Sequence, residues 1–140
     1  LKGLEAGPPP PVDLSAEKRN GDFVRTLIER GLTRCVHDVA DGGLLVALAE
    51  MALASGRGCR LDGTSEPSYW FGEDQARYVV CAASETAKEI IAQARKAGVP
   101  IDRIGNVNGC AITMPNGNAL ALDKLRAAHE SFLPKLMGES

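Results

Sequence analysis

The chain has 140 residues, a length that suits one domain able to bury a real core. Hydrophobic residues make up 44% of the chain and charged residues 24%, and the formal net charge is −2 at pH 7. The sequence therefore has no basic field that would attract nucleic acid or an anionic membrane. No apolar run approaches the roughly 20 residues that a membrane-spanning helix needs. We expect a globular domain with neither a nucleic-acid nor a membrane partner.

Proline and cysteine usage give two further expectations. Residues 8–11 are four consecutive prolines, so residues 1–12 are predicted to be a linker and residues 13–140 the domain. Because the chain also begins without methionine, we expect a piece of a longer polypeptide; a processed N-terminus is the alternative. The four cysteines form no Cys-x-x-Cys pair, which argues against zinc and disulfides and favours a reducing cytoplasm.

Hydrophobic periodicity and turn residues predict the elements of the first half of the chain. A helix capped by Asp13 or Ser15 ends at Gly31, although the Asn20-Gly21 pair could delay its start. A buried strand is predicted over 34–39, a helix over 44–55 and a short strand over 59–61. Residues 62–76 are polar and are predicted to be irregular.

The second half predicts a strand over 77–83, a helix over 84–97 and a strand over 101–107. Asn108-Gly109 is a strong hairpin signal, and residues 115–118 form a second turn before a strand over 119–122. Asp123 is predicted to cap a last helix that carries Phe132 and ends by Pro134. The order of elements predicts an α/β fold, a single domain with a mixed four-stranded sheet and flanking helices.

Residues 36–44, Val-His-Asp-Val-Ala-Asp-Gly-Gly-Leu, form the most informative segment. Asp38 is predicted at the carboxyl end of a strand, and Asp41 is predicted as the N-cap of the next helix. Gly42 and Gly43 allow the main chain to approach another group closely, and a helix start offers N–H groups to an anion. This arrangement suits a phosphate or a metal-phosphate, but an ordinary strand-to-helix turn would have the same sequence.

A second polar cluster, Glu73, Asp74, Gln75 and Arg77, lies near the only tryptophan. Carboxylates, an amide and a guanidinium could bind a phosphosugar, hydroxyl groups or magnesium. The alternative is a strand entrance at which Arg77 neutralises Glu73. His37 adjoins Asp38, but neighbours in a strand point to opposite faces, so we expect a packed or hydrogen-bonded histidine instead of a catalytic pair.

Together these segments resemble one family. Residues 36–44, 71–78 and 103–107, with the opening 11–25 and the ending 125–134, are similar to the C-terminal domain of the aminoimidazole ribonucleotide synthetase-related proteins. Within that family the similarity is strongest to the amidine-forming ligases of purine biosynthesis. The terminal signatures and the Phe71–Arg77 segment favour these over the hydrogenase-maturation, selenophosphate and thiamine-phosphate kinase relatives.

The resemblance implies a reaction. These ligases convert formylglycinamide ribonucleotide, ATP and glutamine to formylglycinamidine ribonucleotide, ADP, phosphate and glutamate, with ATP and Mg²⁺ as cofactors. The implied partners are the remaining domains of the same subunit, a glutaminase subunit and a small accessory subunit. The chain is expected to be inactive alone, because the nucleotide-binding domain would lie outside it. The alternative is a non-catalytic scaffold that docks the other subunits of the same assembly.

The resemblance also implies site residues. Asp38 matches a metal-binding aspartate, Glu73 and Gln75 match substrate-binding positions, and Asp74 replaces the family's serine. The residue patterns add Asp41, Gly42, Gly43 and Arg77 to the predicted substrate- or nucleotide-binding set. No residue is assigned a catalytic role.

Overall fold

The computed structural model describes residues 12–64, 66–131, 134 and 136–138. The predicted linker lies outside the described residues apart from Val12, and so does Phe132. In chain order the elements are α1 (Leu14–Glu29), β1 (Cys35–Asp38), α2 (Gly43–Ser55), β2 (Cys59–Leu61), α3 (Pro67–Phe71), β3 (Tyr78–Cys81), α4 (Ser84–Lys96), β4 (Gly105–Val107), β5 (Ala111–Thr113), β6 (Ala119–Ala121) and α5 (Leu122–Glu130).

The ends of α1 are those that the sequence predicts. The Asp13 carboxylate accepts hydrogen bonds from the N–H groups of Ser15 and Ala16, at 2.9 and 3.0 Å. It therefore satisfies two of the donors that a helix start leaves free. The helix runs through Asn20 and Gly21 without interruption, so the alternative later start is wrong.

The predicted four-stranded mixed sheet is confirmed, with the order β4-β2-β5-β6. Strand β2 pairs antiparallel with β4 and parallel with β5, and β5 pairs antiparallel with β6. Strands β1 and β3 form a separate antiparallel pair, in which Cys35 lies opposite Cys81 and Asp38 opposite Tyr78. The β1–β3 pair carries the site described below.

The Asn108-Gly109 hairpin prediction is wrong. Strands β4 and β5 flank β2 instead of pairing with each other. The N–H of Asn108 donates to the Gly58 carbonyl, and the N–H of Gly58 donates to the Gly109 carbonyl, both at 2.9 Å. The Asn-Gly signal reflects only the local sequence, so it does not reveal that the earlier strand β2 lies between β4 and β5. The second turn does form a hairpin, with the N–H of Met114 donating to the Asn118 carbonyl at 2.7 Å.

Two helix predictions also need correction. Helix α5 begins at Leu122 with Ala121 as its N-cap, so Asp123 lies inside the first turn and does not cap it. Helix α3 lies within the segment that the sequence predicts to be irregular. Its first residue is Pro67, a residue favoured at helix starts, and Trp70 anchors it with only 1% of its surface exposed.

Helix α2 lies at the centre of the core. It packs against β1, α3 and α5, and its glycine C-cap, Gly56, has a left-handed φ of 66°. The main cluster of buried apolar residues comprises Val39, Leu44, Ala47, Leu48, Ala52, Leu61, Trp70, Val79, Ile112 and Leu122. Four of these ten belong to α2, so this helix contributes the largest share of the buried cluster.

Candidate functional site

The end of β1 and the start of β3 bring the two predicted motifs together. Asp38 is the last residue of β1 and lies opposite Tyr78. At the next pair of residues beyond Asp38 and Tyr78, the N–H of Val39 donates to the Arg77 carbonyl at 2.9 Å. The segment after β1 and the segment before β3, which carry the two polar clusters, are therefore neighbours.

A hydrogen bond joins the glycine pair to the second cluster. The N–H of Gly42 donates to Glu73 Oε1 at 2.8 Å. Gly42 is the N-cap of α2, with a φ of 83° and no side-chain cap of its own, so the prediction of Asp41 as N-cap is wrong. Because the N-cap Gly42 and the first helical residue Gly43 both have left-handed φ angles, Asp41 lies outside the helix and is exposed, and Glu73 supplies the anion at this helix start.

At Gly43 the two segments approach each other so closely that a side chain would clash. A Cβ placed on Gly43 would lie 2.6 Å from the carbonyl carbon of Phe71 and 2.9 Å from the oxygen of Gly72. No side chain fits there. The N–H of Gly43 donates to the Ala40 carbonyl at 3.0 Å, so the chain itself occupies the N–H groups of both glycines.

Arg77 holds the loop that carries Glu73. Its guanidinium donates to the carbonyls of Gly72 and Tyr69, at 3.3 and 3.5 Å, and lies 3.5 Å from the Asp74 carboxylate. It also lies over the Tyr69 ring, 5.6 Å from the centroid. The structure thus pairs Arg77 with Asp74, whereas the alternative reading of the sequence pairs it with Glu73.

A contact with α1, which no sequence pattern signals, fixes the other side of this loop. Asn20 donates from its side-chain amide to the Ala76 carbonyl at 2.9 Å, across 56 positions of sequence. Ala76 has a φ of 63°, a left-handed conformation that costs a non-glycine residue on the order of 1–2 kcal/mol. Gln75 and Arg77 are thus the neighbours of a strained residue.

His37 and Asp38 are in contact, contrary to the expectation that they face opposite sides. His37 Nδ1 lies 3.5 Å from Asp38 Oδ1 and forms a 2.6 Å hydrogen bond with the Asp38 carbonyl oxygen. The strand ends at Asp38, so its alternation no longer separates the two side chains. The hydrogen bond to the Asp38 carbonyl confirms a hydrogen-bonded strand histidine, and the other nitrogen, Nε2, lies 3.0 Å from Glu50 Oε2.

Gln75 and Arg77 also line a cavity of about 700 Å³ between α1, α4 and β3. Its walls are mostly apolar and include Phe23, Leu27 and Ile90. The other five predicted site residues are not among those that line it. Tyr78 lies in the same wall; burial raises the pKa of its hydroxyl, and the charges of Glu17 and Asp38 raise that pKa further.

The donor set fits magnesium only as a shared ion. Asp38 offers a carboxylate that is 68% exposed, and carboxylate oxygens are the ligands that Mg²⁺ prefers. Among the described residues, no group of three or more His, Cys, Asp or Glu side chains is arranged to hold a metal ion. This agrees with magnesium chemistry, in which one or two carboxylates share the ion with phosphates and water.

The fold and this site define a class of protein. The sequence model of the AIR synthase related protein family, C-terminal domain, matches residues 2–113, and the chain belongs to that family. In the part of the chain that the structure describes, no helix is long and apolar enough to cross a membrane.

Particular relatives are similar over nearly the whole chain. Phosphoribosylformylglycinamidine synthase subunit PurL of Methylocella silvestris is 51% identical over 138 residues, which are 96% of this chain and 19% of the relative. PurL of Bradyrhizobium diazoefficiens is 50% identical over 140 residues, again 19% of its length. The chain therefore spans about a fifth of the length of these relatives.

Solved structures of PurL from Thermotoga maritima share the fold. The structure of that protein complexed with FGAR aligns with a TM-score of 0.73 at 23% identity, over 89% of this chain and 23% of the other. The structure of the same protein complexed with ATP aligns with a TM-score of 0.71 at 22% identity, over 81% of this chain and 22% of the other. The structure of PurLQS from the same organism has a TM-score of 0.70 at 21% identity, over 88% and 22%.

Proposed function

We propose that this chain is a C-terminal domain of an amidine-forming ligase of purine biosynthesis, and that it provides one wall of a cleft. Domains outside the chain complete that cleft. The proposed reaction uses ATP and glutamine-derived ammonia to convert formylglycinamide ribonucleotide to formylglycinamidine ribonucleotide. Family membership and the 51% identity to PurL of Methylocella silvestris support this assignment.

One observation carries the proposal. The acidic end of β1 and the Glu73–Arg77 segment are held side by side by the Gly42–Glu73 and Val39–Arg77 hydrogen bonds. An exposed Asp38 is thereby placed beside a loop rich in polar groups. A wall of this composition suits a charged, phosphate-bearing ligand better than an apolar one.

In this proposal Asp38 holds Mg²⁺, and Glu73, Gln75 and Arg77 contact the substrate or nucleotide together with the Asp41–Gly43 segment. Magnesium, when bound, offsets the charge of the ATP phosphates. The N–H groups of Gly42 and Gly43 already have partners within the chain, so their part is to allow close backbone approach. The side chains of Asp41 and Gln75 are exposed and can also contact the ligand directly.

Substitutions in the intact ligase subunit test this function. Asp38→Asn removes the charge that magnesium needs, so turnover should fall by at least about tenfold, the size typical of a lost metal ligand or its support. Glu73→Ala and Glu73→Gln separate two roles of Glu73, because glutamine still accepts the Gly42 hydrogen bond. A ligand-binding role predicts that both variants lose activity, whereas a purely structural role predicts that glutamine restores it. Wild-type turnover in Asp38→Asn would refute the proposal.

A second candidate is a non-catalytic scaffold within the same assembly. The observation in its favour is that the Gly42 and Gly43 N–H groups and the Arg77 guanidinium all bind the chain's own atoms. In that case the partners are the other domains of the subunit, the glutaminase subunit and the small accessory subunit, in a cytoplasmic complex. Asp38→Asn would then leave turnover unchanged, while surface substitutions would weaken assembly measured by analytical ultracentrifugation.

A further inference from the structure

His37 links the middle of α2 to the end of β1. Its Nε2 lies 3.0 Å from Glu50 Oε2, and its Nδ1 lies 2.6 Å from the carbonyl oxygen of Asp38. The same Nδ1 lies 3.5 Å from Asp38 Oδ1. The His37 side chain is 30% exposed, whereas Glu50 is 51% and Asp38 is 68% exposed, so the ring is the most enclosed member of the three.

The two ring nitrogens have different tasks in this geometry. Nδ1 forms its hydrogen bond with the Asp38 main-chain carbonyl, whereas Nε2 faces the Glu50 carboxylate. Glu50 belongs to α2, which packs against β1, and it fixes the orientation of the ring from the helix side. Fixing Nε2 in this way aims Nδ1 at both the main chain and the carboxylate of Asp38.

Asp38 needs such a constraint. In residues 12–64 and 66–131, the basic side chain found within 4 Å of its carboxylate is His37, whose Nδ1 lies 3.5 Å from Oδ1. An exposed aspartate at the end of a strand would otherwise rotate among its staggered conformers. A metal-binding carboxylate acts best when a neighbouring group fixes its direction, as second-layer hydrogen bonds do in metal sites.

We propose that His37, held by Glu50, is a positioning residue for Asp38. It restricts the Asp38 side chain to the conformer that presents its carboxylate to a magnesium–phosphate group. The positioning itself rests on the three distances above, while its use for magnesium rests on the proposed function. These side-chain contacts are largely exposed, so their contribution to the free energy of unfolding is small, and the effect belongs to the orientation of Asp38.

The first experiment measures that orientation directly in the 140-residue chain. NMR three-bond couplings from the Asp38 Cγ to the backbone nitrogen and carbonyl carbon report its χ1 population. We expect one dominant rotamer in the wild type and averaged couplings in His37→Ala. His37→Asn can restore a donor at the Nδ1 position, so it should recover the single rotamer in part. Averaged couplings in the wild type, or an unchanged rotamer in His37→Ala, would overturn the proposal.

A matched control separates positioning from general loss of an ion pair. Glu130→Gln weakens the Arg126–Glu130 pair, which has a similar 3.0 Å separation and similar exposure but lies on α5. This variant should leave the Asp38 couplings unchanged, while Glu50→Gln should shift them toward the average. An equal change in both variants would contradict a specific role for Glu50.

The second experiment uses the intact subunit and measures ADP affinity by calorimetry with and without Mg²⁺. His37→Ala should weaken binding about 3- to 10-fold in the presence of Mg²⁺ and not in its absence. Equal affinity of His37→Ala and wild type with Mg²⁺ would overturn the magnesium part of the proposal. If the wild-type subunit itself shows no magnesium dependence, the proposed function of Asp38 fails, whereas the NMR result still decides the positioning.

Discussion

At the scale of single residues, Gly43 is a position where the backbone leaves little freedom. It has a φ of 76°, and an added Cβ would lie 2.6 Å from the Phe71 backbone. Gly43→Ala should therefore combine left-handed strain with a backbone clash and lower the free energy of unfolding by about 2–5 kcal/mol. Urea denaturation followed by circular dichroism measures this change.

Gly98→Ala provides the matched comparison. Gly98 has a φ of 67°, similar to that of Gly43, but nothing lies within 4 Å of the position that a Cβ would take there. Gly98→Ala should lower the free energy of unfolding only by the strain of the left-handed backbone, about 1–2 kcal/mol. Equal losses in the two variants would show that the close approach of the two segments is absent in solution.

The residue scale also shows what the sequence could reveal about the site. The Gly-Gly pair after a strand predicts a close backbone approach, and the chain does approach itself at Gly43. It could not reveal that Glu73, 31 positions away, would take the capping role predicted for Asp41. The contact between Asn20 and Ala76 could not be predicted from the sequence either, because it joins distant parts of the chain.

At the scale of elements, helix α3 depends on one side chain. Trp70 is 1% exposed, and its indole N–H donates to the Thr64 carbonyl at 2.8 Å. Trp70→Ala should lower the free energy of unfolding by about 3–5 kcal/mol, because it leaves a cavity and an unpaired carbonyl. The neighbouring Phe71 is 56% exposed, so Phe71→Ala should change it by less than about 1 kcal/mol. Denaturation curves in which the Phe71 variant is the less stable of the two would contradict this placement of α3.

The strand elements make a prediction about thiol reactivity. Burial raises the pKa of Cys59 and of Cys81, with nearby thiols adding to the effect, whereas Cys110 is exposed. At pH 8 the two half-buried thiols carry less thiolate, the reactive form, and are less accessible. Iodoacetamide should therefore modify Cys110 roughly tenfold faster or more, as measured by peptide mass spectrometry.

Unfolding supplies the control for that experiment, since in concentrated urea the cysteines should react at similar rates.

The same pKa shifts also determine how the free energy of unfolding depends on pH. Because the folded pKa values lie above the ordinary 9.0, the stability linked to these thiols is retained below pH 9 and is lost as the pH rises through the folded values. Faster modification of Cys59 than of Cys110 in the folded chain would contradict the burial.

Element prediction from the sequence succeeded where the signals were local. Asp13, Gly31 and Gly56 mark helix ends correctly, and the four-stranded mixed sheet is present. It failed where tertiary pairing overrides a local signal, as at Asn108-Gly109, and where a short helix lies in a polar segment. Helix α3 shows no apolar periodicity over its five residues, so packing of Trp70 decides its structure.

At the scale of the whole molecule, we predict that the 140-residue chain alone is catalytically inert. In the proposed function its exposed Asp38 provides one magnesium ligand, and the described residues hold no complete metal site. ATP hydrolysis with Mg²⁺ should remain at the level of a chain carrying Asp38→Asn. Robust turnover by the isolated wild-type chain would show that domains outside it are not needed.

The placement of β2 between β4 and β5 also sets an order of events for the growing polypeptide. The ribosome makes residues 59–61 more than forty positions before the two strands that enclose them. The β5–β6 hairpin can form from its own turn, but both ladders of β2 require a loop of more than forty residues to close first. Cotranslational folding of this half should thus wait until the stretch through residue 121 has left the exit tunnel.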